Sequence, residues 1–134
     1  MARIEDIEGI GPDAAQKLQA AGVNTVEALL EKGASPSGRD ALAAATGIRA
    51  ALILEWVNHA DLYRIRGVGS ELSDLLEAAG VDSVPELARR NAEALHVKIV
   101  EVNEAKKLVR QVPSASQVAA WIEEAKTLPR VVSH

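Results

Sequence analysis

Apolar residues recur three or four positions apart along much of the chain, which is the spacing that places side chains on one face of an α-helix. The segment Asp13–Ala21 has this spacing and ends before Gly22, a residue suited to the position after a helix end. Leu95, Ile99 and Val102 keep the same spacing through a stretch rich in β-branched residues. The pattern therefore predicts an all-α fold.

Residues that start and stop helices divide the chain into further elements. Thr25 is expected to begin a helix, and two more helices are expected over 39–45 and 48–60. Residues 32–38, "KGASPSG", are predicted to be a loop, and the terminal "LPRVVSH" a frayed tail. Side chains that cap later helices are expected at Ser83 with Glu86, at Asn91, and at Ser114 or Ser116.

The composition is that of a globular helical protein with a thin aliphatic core. The 134 residues are 48% hydrophobic and 25% charged, with 2% aromatic residues and no Phe, and alanine is abundant. The absence of cysteine excludes disulfides, thiolate catalysis and cysteine-based zinc sites. An acidic start and the lack of a long apolar run predict a cytoplasmic protein with no membrane segment.

The chain repeats itself. Residues Ile4–Leu30 align without a gap with Leu62–Ala88 at an offset of 58, and many apolar and glycine positions are identical. A second match aligns Trp56 with Trp121 at an offset of 65, so the second copy contains seven more residues between the two matches. We therefore predict repeats over residues 1–61 and 62–129, followed by a tail over 130–134.

Glycines at matching places define a motif in both copies. The pattern apolar–x–Gly–apolar–Gly, closed by a third glycine after a short helix, occurs over Ile7–Val23 and Ile65–Val81 and resembles the helix-hairpin-helix motif. The arrangement over Ile4–Pro129 resembles a bacterial tandem helix-hairpin-helix family described as a domain of unknown function. The resemblance implies two tandem helix-hairpin-helix (SAM-like) repeats packed as one compact unit, without an activity. The structural glycines are Gly9, Gly11, Gly22, Gly67, Gly69 and Gly80.

The second hairpin is the better candidate for nucleic-acid binding. Backbone amides of such a hairpin can hold a phosphate, and Arg64 and Arg66 precede this copy where Asp6 and Glu8 precede the first. An acid, Glu71, follows the hairpin and opposes this role. The candidate nucleic-acid-binding residues are Arg64, Arg66, Gly67, Val68, Gly69, Ser70, Arg89, Arg90 and Lys106.

The charge balance and the lack of catalytic groups favour a different function. The net charge is −4, with five bases against eight acids over residues 1–60 and ten against eleven over 61–134, whereas nucleic-acid binders usually have a basic excess. The three histidines are scattered, and Asp82 is interpreted as a turn residue, so we expect no enzyme, metal, cofactor or small-molecule substrate. We expect a non-catalytic interaction module, an adaptor or scaffold whose partner is a protein or a second copy. The alternative is weak, sequence-independent DNA binding through the second hairpin.

Overall fold

A computed structural model describes residues 3–7 and 9–133, and within them the chain is all-helical, with no strand. A 3-10 turn over Ile4–Asp6 precedes eight α-helices. These are α1 (Pro12–Ala20), α2 (Val26–Lys32), α3 (Pro36–Thr46), α4 (Ala50–Leu62), α5 (Ser70–Ala78), α6 (Val84–Ala88), α7 (Ala92–Lys106) and α8 (Ala115–Thr127). In this part of the chain no helix combines the length and the apolarity that a membrane span requires.

Side chains cap most of the helices, including the predicted caps at Ser83, Asn91 and Ser114, but the Glu86 side chain contacts Arg89 and Arg90 and does not complete the predicted capping box with Ser83. An oxygen of the residue before the helix accepts the N–H three residues later, which satisfies one of the free amides of the first turn. Asn91 caps α7 in this way, and Ser114 caps α8 in a full capping box with Gln117. The five capping residues are Thr25, Ser35, Ser83, Asn91 and Ser114.

The predicted loop over 32–38 is wrong in its second half. Helix α3 begins at Pro36, because the Ser35 hydroxyl accepts the N–H of Gly38 at 3.1 Å and Pro36 occupies the first helical position. The segment "SPSG" is therefore a helix start, although its composition is typical of a loop. The break predicted at residues 46–47, between the two helices, is confirmed at Gly47, which ends α3 in the left-handed region at φ +75°, while Thr46 is the last residue of α3.

The contacts divide the chain into two compact units. The first contains the described residues of 1–61 and 131–134, and the second contains residues 62–130. Fully buried aliphatic side chains fill the first unit, among them Ile4, Leu18, Leu29 and Ile53. In the second unit, α8 packs against α6 and α7, and the core there includes Ile65, Leu75, Leu87, Ile99, Val118 and Trp121.

The expectation of a frayed tail is wrong for residues 131–133. Val132 is only 2% exposed, and the Ser133 N–H donates to the Ala34 carbonyl at 2.8 Å. The buried guanidinium of Arg39 donates to the Ser133 carbonyl at 2.8 Å and to the Gly33 carbonyl at 2.9 Å. The tail is therefore ordered by an arginine of the first unit.

The backbone hydrogen bonds of the first aligned segment recur 58 residues later. The helix-ending glycines Gly22 and Gly80 have φ of +88° and +95°. Each is followed by a valine whose N–H reaches back to a leucine carbonyl. These N–H groups donate from Val23 to Leu18 at 2.9 Å and from Val81 to Leu76 at 2.8 Å. A second pair of bonds lies before the first helix of each copy, from the Ile10 N–H to the Ile7 carbonyl at 3.2 Å and from the Val68 N–H to the Ile65 carbonyl at 3.1 Å.

The seven extra residues of the second copy have a definite place. Helix α7 has 15 residues where α3 has 11, and residues 107–114 connect α7 to α8 where only 47–49 connect α3 to α4. Helix α6 is two residues shorter than α2, with 5 residues against 7. The seven additional residues therefore lengthen α7 and the loop that follows it.

Candidate functional site

The second hairpin connects residue 65 to α5 through two glycines. Gly67 has φ +88°, a conformation that side-chain-bearing residues rarely adopt, and the following Val68 is buried. Gly69 precedes α5 in an extended conformation and, having no side chain, leaves the first-turn amides without a side-chain cap. The amides at the start of α5 consequently point outward from an uncapped helix end.

Each tryptophan packs against the hairpin of its own unit. A Cβ placed on Gly67 would lie 3.7 Å from Nε1 of Trp121, and one placed on Gly9 would lie 3.4 Å from Nε1 of Trp56. Both indoles are buried, with 6% and 3% of their surface exposed. Since stacking on nucleic-acid bases requires an exposed ring, these tryptophans hold the hairpins in place.

A carboxylate of the chain already occupies one amide of the second hairpin. Oε1 of Glu124, on α8, accepts the backbone N–H of Arg66 at 3.0 Å. A phosphate about 4 Å from this carboxylate would be repelled by roughly 1 kcal/mol in bulk water and about 4 kcal/mol at an effective dielectric constant of 20. Glu124 therefore weakens this hairpin as a site for nucleic-acid phosphate.

The arginines predicted to flank the hairpin have different roles. Arg64 donates from Nη1 to the Pro129 carbonyl at 2.8 Å, which connects the hairpin to the segment after α8. The side chain of Arg66 is exposed and lines a cavity of about 310 Å³ together with Gly67 and Trp121. Ser70, half-buried, is the first residue of α5.

Arg89 and Arg90 lie at the end of α6 and are engaged by their own helix. The Glu86 carboxylate forms ion pairs with both: Oε2 lies 3.7 Å from Nη1 of Arg89, and Oε1 lies 2.9 Å from Nη2 of Arg90. Arg90 also donates to the carbonyl of Gly80 at 2.8 Å. These contacts stabilise the end of α6 and the turn that follows α5.

The bond from Arg90 to the glycine carbonyl has a counterpart in the first unit. Nζ of Lys32 donates to the carbonyl of Gly22 at 3.3 Å, and both members of this pair lie 58 residues before Arg90 and Gly80. Sequence reasoning missed this role, although the alignment offset places a base at both positions. The repetition supports a structural role for Arg90.

A groove that the sequence did not predict lies beside the hairpin. A groove of about 930 Å³ is formed by the first turn of α5, the last turns of α7 and residues 107–112, and we call it the α5–α7 groove. The seven extra residues of the second copy supply most of its wall. Lys106, a candidate from the sequence, is exposed at the end of α7 but does not line the groove, whereas Lys107 and Arg110 do.

A buried asparagine fixes the loop that forms this wall. The side-chain amide of Asn103 donates to the Val109 carbonyl at 3.1 Å, and its oxygen accepts the Val109 N–H at 3.0 Å. Lys107 ends α7 at φ 54°, the one side-chain-bearing residue with positive φ in the described ranges. The loop is therefore held in a defined conformation, although it carries no regular secondary structure.

The groove continues toward the hairpin. Leu72, Gln111 and Val112 line both the α5–α7 groove and the smaller cavity that contains Arg66. A ligand that follows the groove would consequently reach the side of the hairpin next to Trp121.

Comparisons with known proteins identify a family. A family model described as "Domain of unknown function (DUF4332)" matches residues 8–128. No curated protein and no solved structure matches the chain.

Proposed function

Because the chain belongs to this family, whose description names no activity, we propose its function from its own geometry. The protein is a non-catalytic interaction module, an adaptor or scaffold that binds a protein partner through its second unit. It is built from two tandem helix-hairpin-helix repeats. The recurring hydrogen bonds and the tryptophan behind each hairpin support this description of the repeats.

The observation that carries the proposal is the contrast between the second hairpin and the α5–α7 groove. At the hairpin, Glu124 accepts a backbone N–H, and Arg64 donates to a carbonyl of the chain. The groove instead is lined by exposed charged side chains together with half-buried apolar ones, which suits a polypeptide. The hairpin therefore serves the fold, and the groove serves the partner.

Affinity capture from a nuclease-treated extract tests the proposal. Gln111→Trp places a large side chain in the groove from an exposed loop position. Gln16→Trp is the control, because it makes the same change at an exposed position of α1. We expect a polypeptide retained by the wild type and by Gln16→Trp and reduced about tenfold by Gln111→Trp, equivalent to ~1.4 kcal/mol. A parallel capture from untreated extract is also made. The proposal is contradicted if the untreated extract yields only nucleic acid, or if the nuclease-treated extract yields no polypeptide.

A second candidate function, weak sequence-independent DNA binding, is favoured by two features of the hairpin. Arg66 is exposed there, and Gly69 leaves the α5 amides without a side-chain cap. Fluorescence anisotropy with duplex and single-stranded DNA at low and moderate salt tests it, since phosphate contacts weaken with salt. Arg66→Glu should reduce such binding more than Arg49→Glu, a matched change at another exposed arginine.

A further inference from the structure

We infer that the α5–α7 groove binds an extended polypeptide segment carrying both acidic and basic side chains beside apolar ones. The inference rests on the proposed function and names the chemistry of the partner. It follows from the volume and floor of the groove, from the signs and freedom of its charged side chains, and from the conformation of Lys107.

The size and lining of the groove suit a short peptide. Its volume of about 930 Å³ is near the upper end of the range of roughly 300–1,000 Å³ found for small-molecule pockets, so the groove has room for several side chains of a ligand. Half-buried aliphatic side chains from all three walls form an apolar surface that can cover the apolar residues of a partner. These side chains are Leu72, Val100, Leu108, Val109 and Val112.

The charged side chains of the groove are balanced in sign and free for a partner. Glu71 and Glu104 come from the helices, and Lys107 and Arg110 come from the loop. All four are exposed, and the ion pairs found over residues 3–7 and 9–133 include none of them. A segment with both signs can pair with each of them.

A ligand of a single sign fits this set poorly. A nucleic-acid strand or an all-acidic peptide would meet Glu71 and Glu104, and an all-basic peptide would meet Lys107 and Arg110. Like charges brought together in this way disfavour the wrong partner, which is a usual source of specificity at interfaces. The partner chemistry is therefore of mixed charge.

The backbone of Lys107 adds an independent reason. The left-handed conformation at φ 54° and ψ 45° is unfavourable for a side-chain-bearing residue, and the first unit has Gly47 where α3 ends in the same way. The second unit keeps a lysine at this unfavourable position, on the wall of the groove. Strain of this kind often marks residues kept for binding.

Labelled nonapeptides in which leucine alternates with other residues test the inference by fluorescence anisotropy. In one peptide the residues between the leucines are glutamate and lysine in equal number. In the other three peptides they are only glutamate, only lysine, or only serine. We expect the wild type to bind the mixed peptide about tenfold more tightly than each of the others, which is ~1.4 kcal/mol. Arg110→Glu should move the preference to the lysine peptide, and Glu104→Lys should move it to the glutamate peptide.

Two matched controls lie on the same helix outside the groove. Glu101→Lys and Lys98→Glu change the charge of exposed α7 positions in the same senses and should keep the preference for the mixed peptide. Equal binding of the four peptides by the wild type, or a shift with Glu101→Lys as large as with Glu104→Lys, overturns the inference. If the capture experiment still recovers a polypeptide, the proposed function stands without it; if capture recovers none, the proposed function fails as well.

Discussion

Replacing Asn103 with Ala tests whether the wall of the α5–α7 groove is held as described. The substitution removes two hydrogen bonds to Val109, of 3.1 and 3.0 Å, from a residue that is 8% exposed. The net contribution of one hydrogen bond to the free energy of unfolding is about 1 kcal/mol. Because Val109 is half-buried, water can in part satisfy the amide and carbonyl that lose their partner. We expect the free energy of unfolding to fall by about 2 kcal/mol.

Hydrogen exchange at the Val109 amide is the decisive assay for this prediction. Its N–H donates to the Asn103 side chain, so Asn103→Ala should abolish its protection from exchange while the α7 amides stay protected. Asn91→Ala is the control, because it removes the exposed cap of the same helix and should cost ~1 kcal/mol without changing exchange at Val109. Unchanged protection of Val109 in Asn103→Ala would refute the account of the loop.

Three further substitutions test the packing and the backbone. Gly67 has φ +88° and room for a Cβ, so Gly67→Ala should lower the free energy of unfolding by about 1 kcal/mol through backbone strain. Gly69 is extended and in open space, so Gly69→Ala should change it by less than about 0.5 kcal/mol. Denaturant titrations measure both changes. Arg39→Ala should cost about 3 kcal/mol by the same titration, because three carbonyls lose a buried donor, while exposed Arg49→Ala should have little effect. Lys107→Gly should raise the free energy of unfolding by about 0.5 kcal/mol, since the strain relieved slightly exceeds the added chain entropy; a decrease would count against strain at this position.

The helical character of the chain could be predicted because local signals determine it. The caps at Asn91 and Ser114 are read directly from side chains that compete for first-turn amides. The equivalence of Trp56 and Trp121, each of which packs on the hairpin of its own unit, followed from the internal alignment. These features depend on residues close in sequence or on the internal alignment.

The groove could not be predicted, because it depends on distances that only the folded chain defines. The alignment shows that the second copy has seven more residues, but not that they form a wall fixed by Asn103. The burial of Arg39 and the order of Ser133 arise from residues 94 positions apart, for which no local pattern exists. The charge of Arg90 alone makes it a nucleic-acid candidate in the sequence, and its bond to the Gly80 carbonyl is visible only in the folded chain.

Amide chemical shifts of the isotopically labelled protein test the central claim most directly, because one spectrum reports on the hairpin and on the groove. The mixed-charge peptide should shift the amides of Leu72, Glu104 and Val109, which lie along the groove. Duplex DNA at low salt should leave the amides over 66–70 unchanged, since Glu124 accepts the N–H of Arg66. Shifts over 66–70 with DNA, together with no change along the groove with the peptide, would contradict the claim that the second unit binds protein.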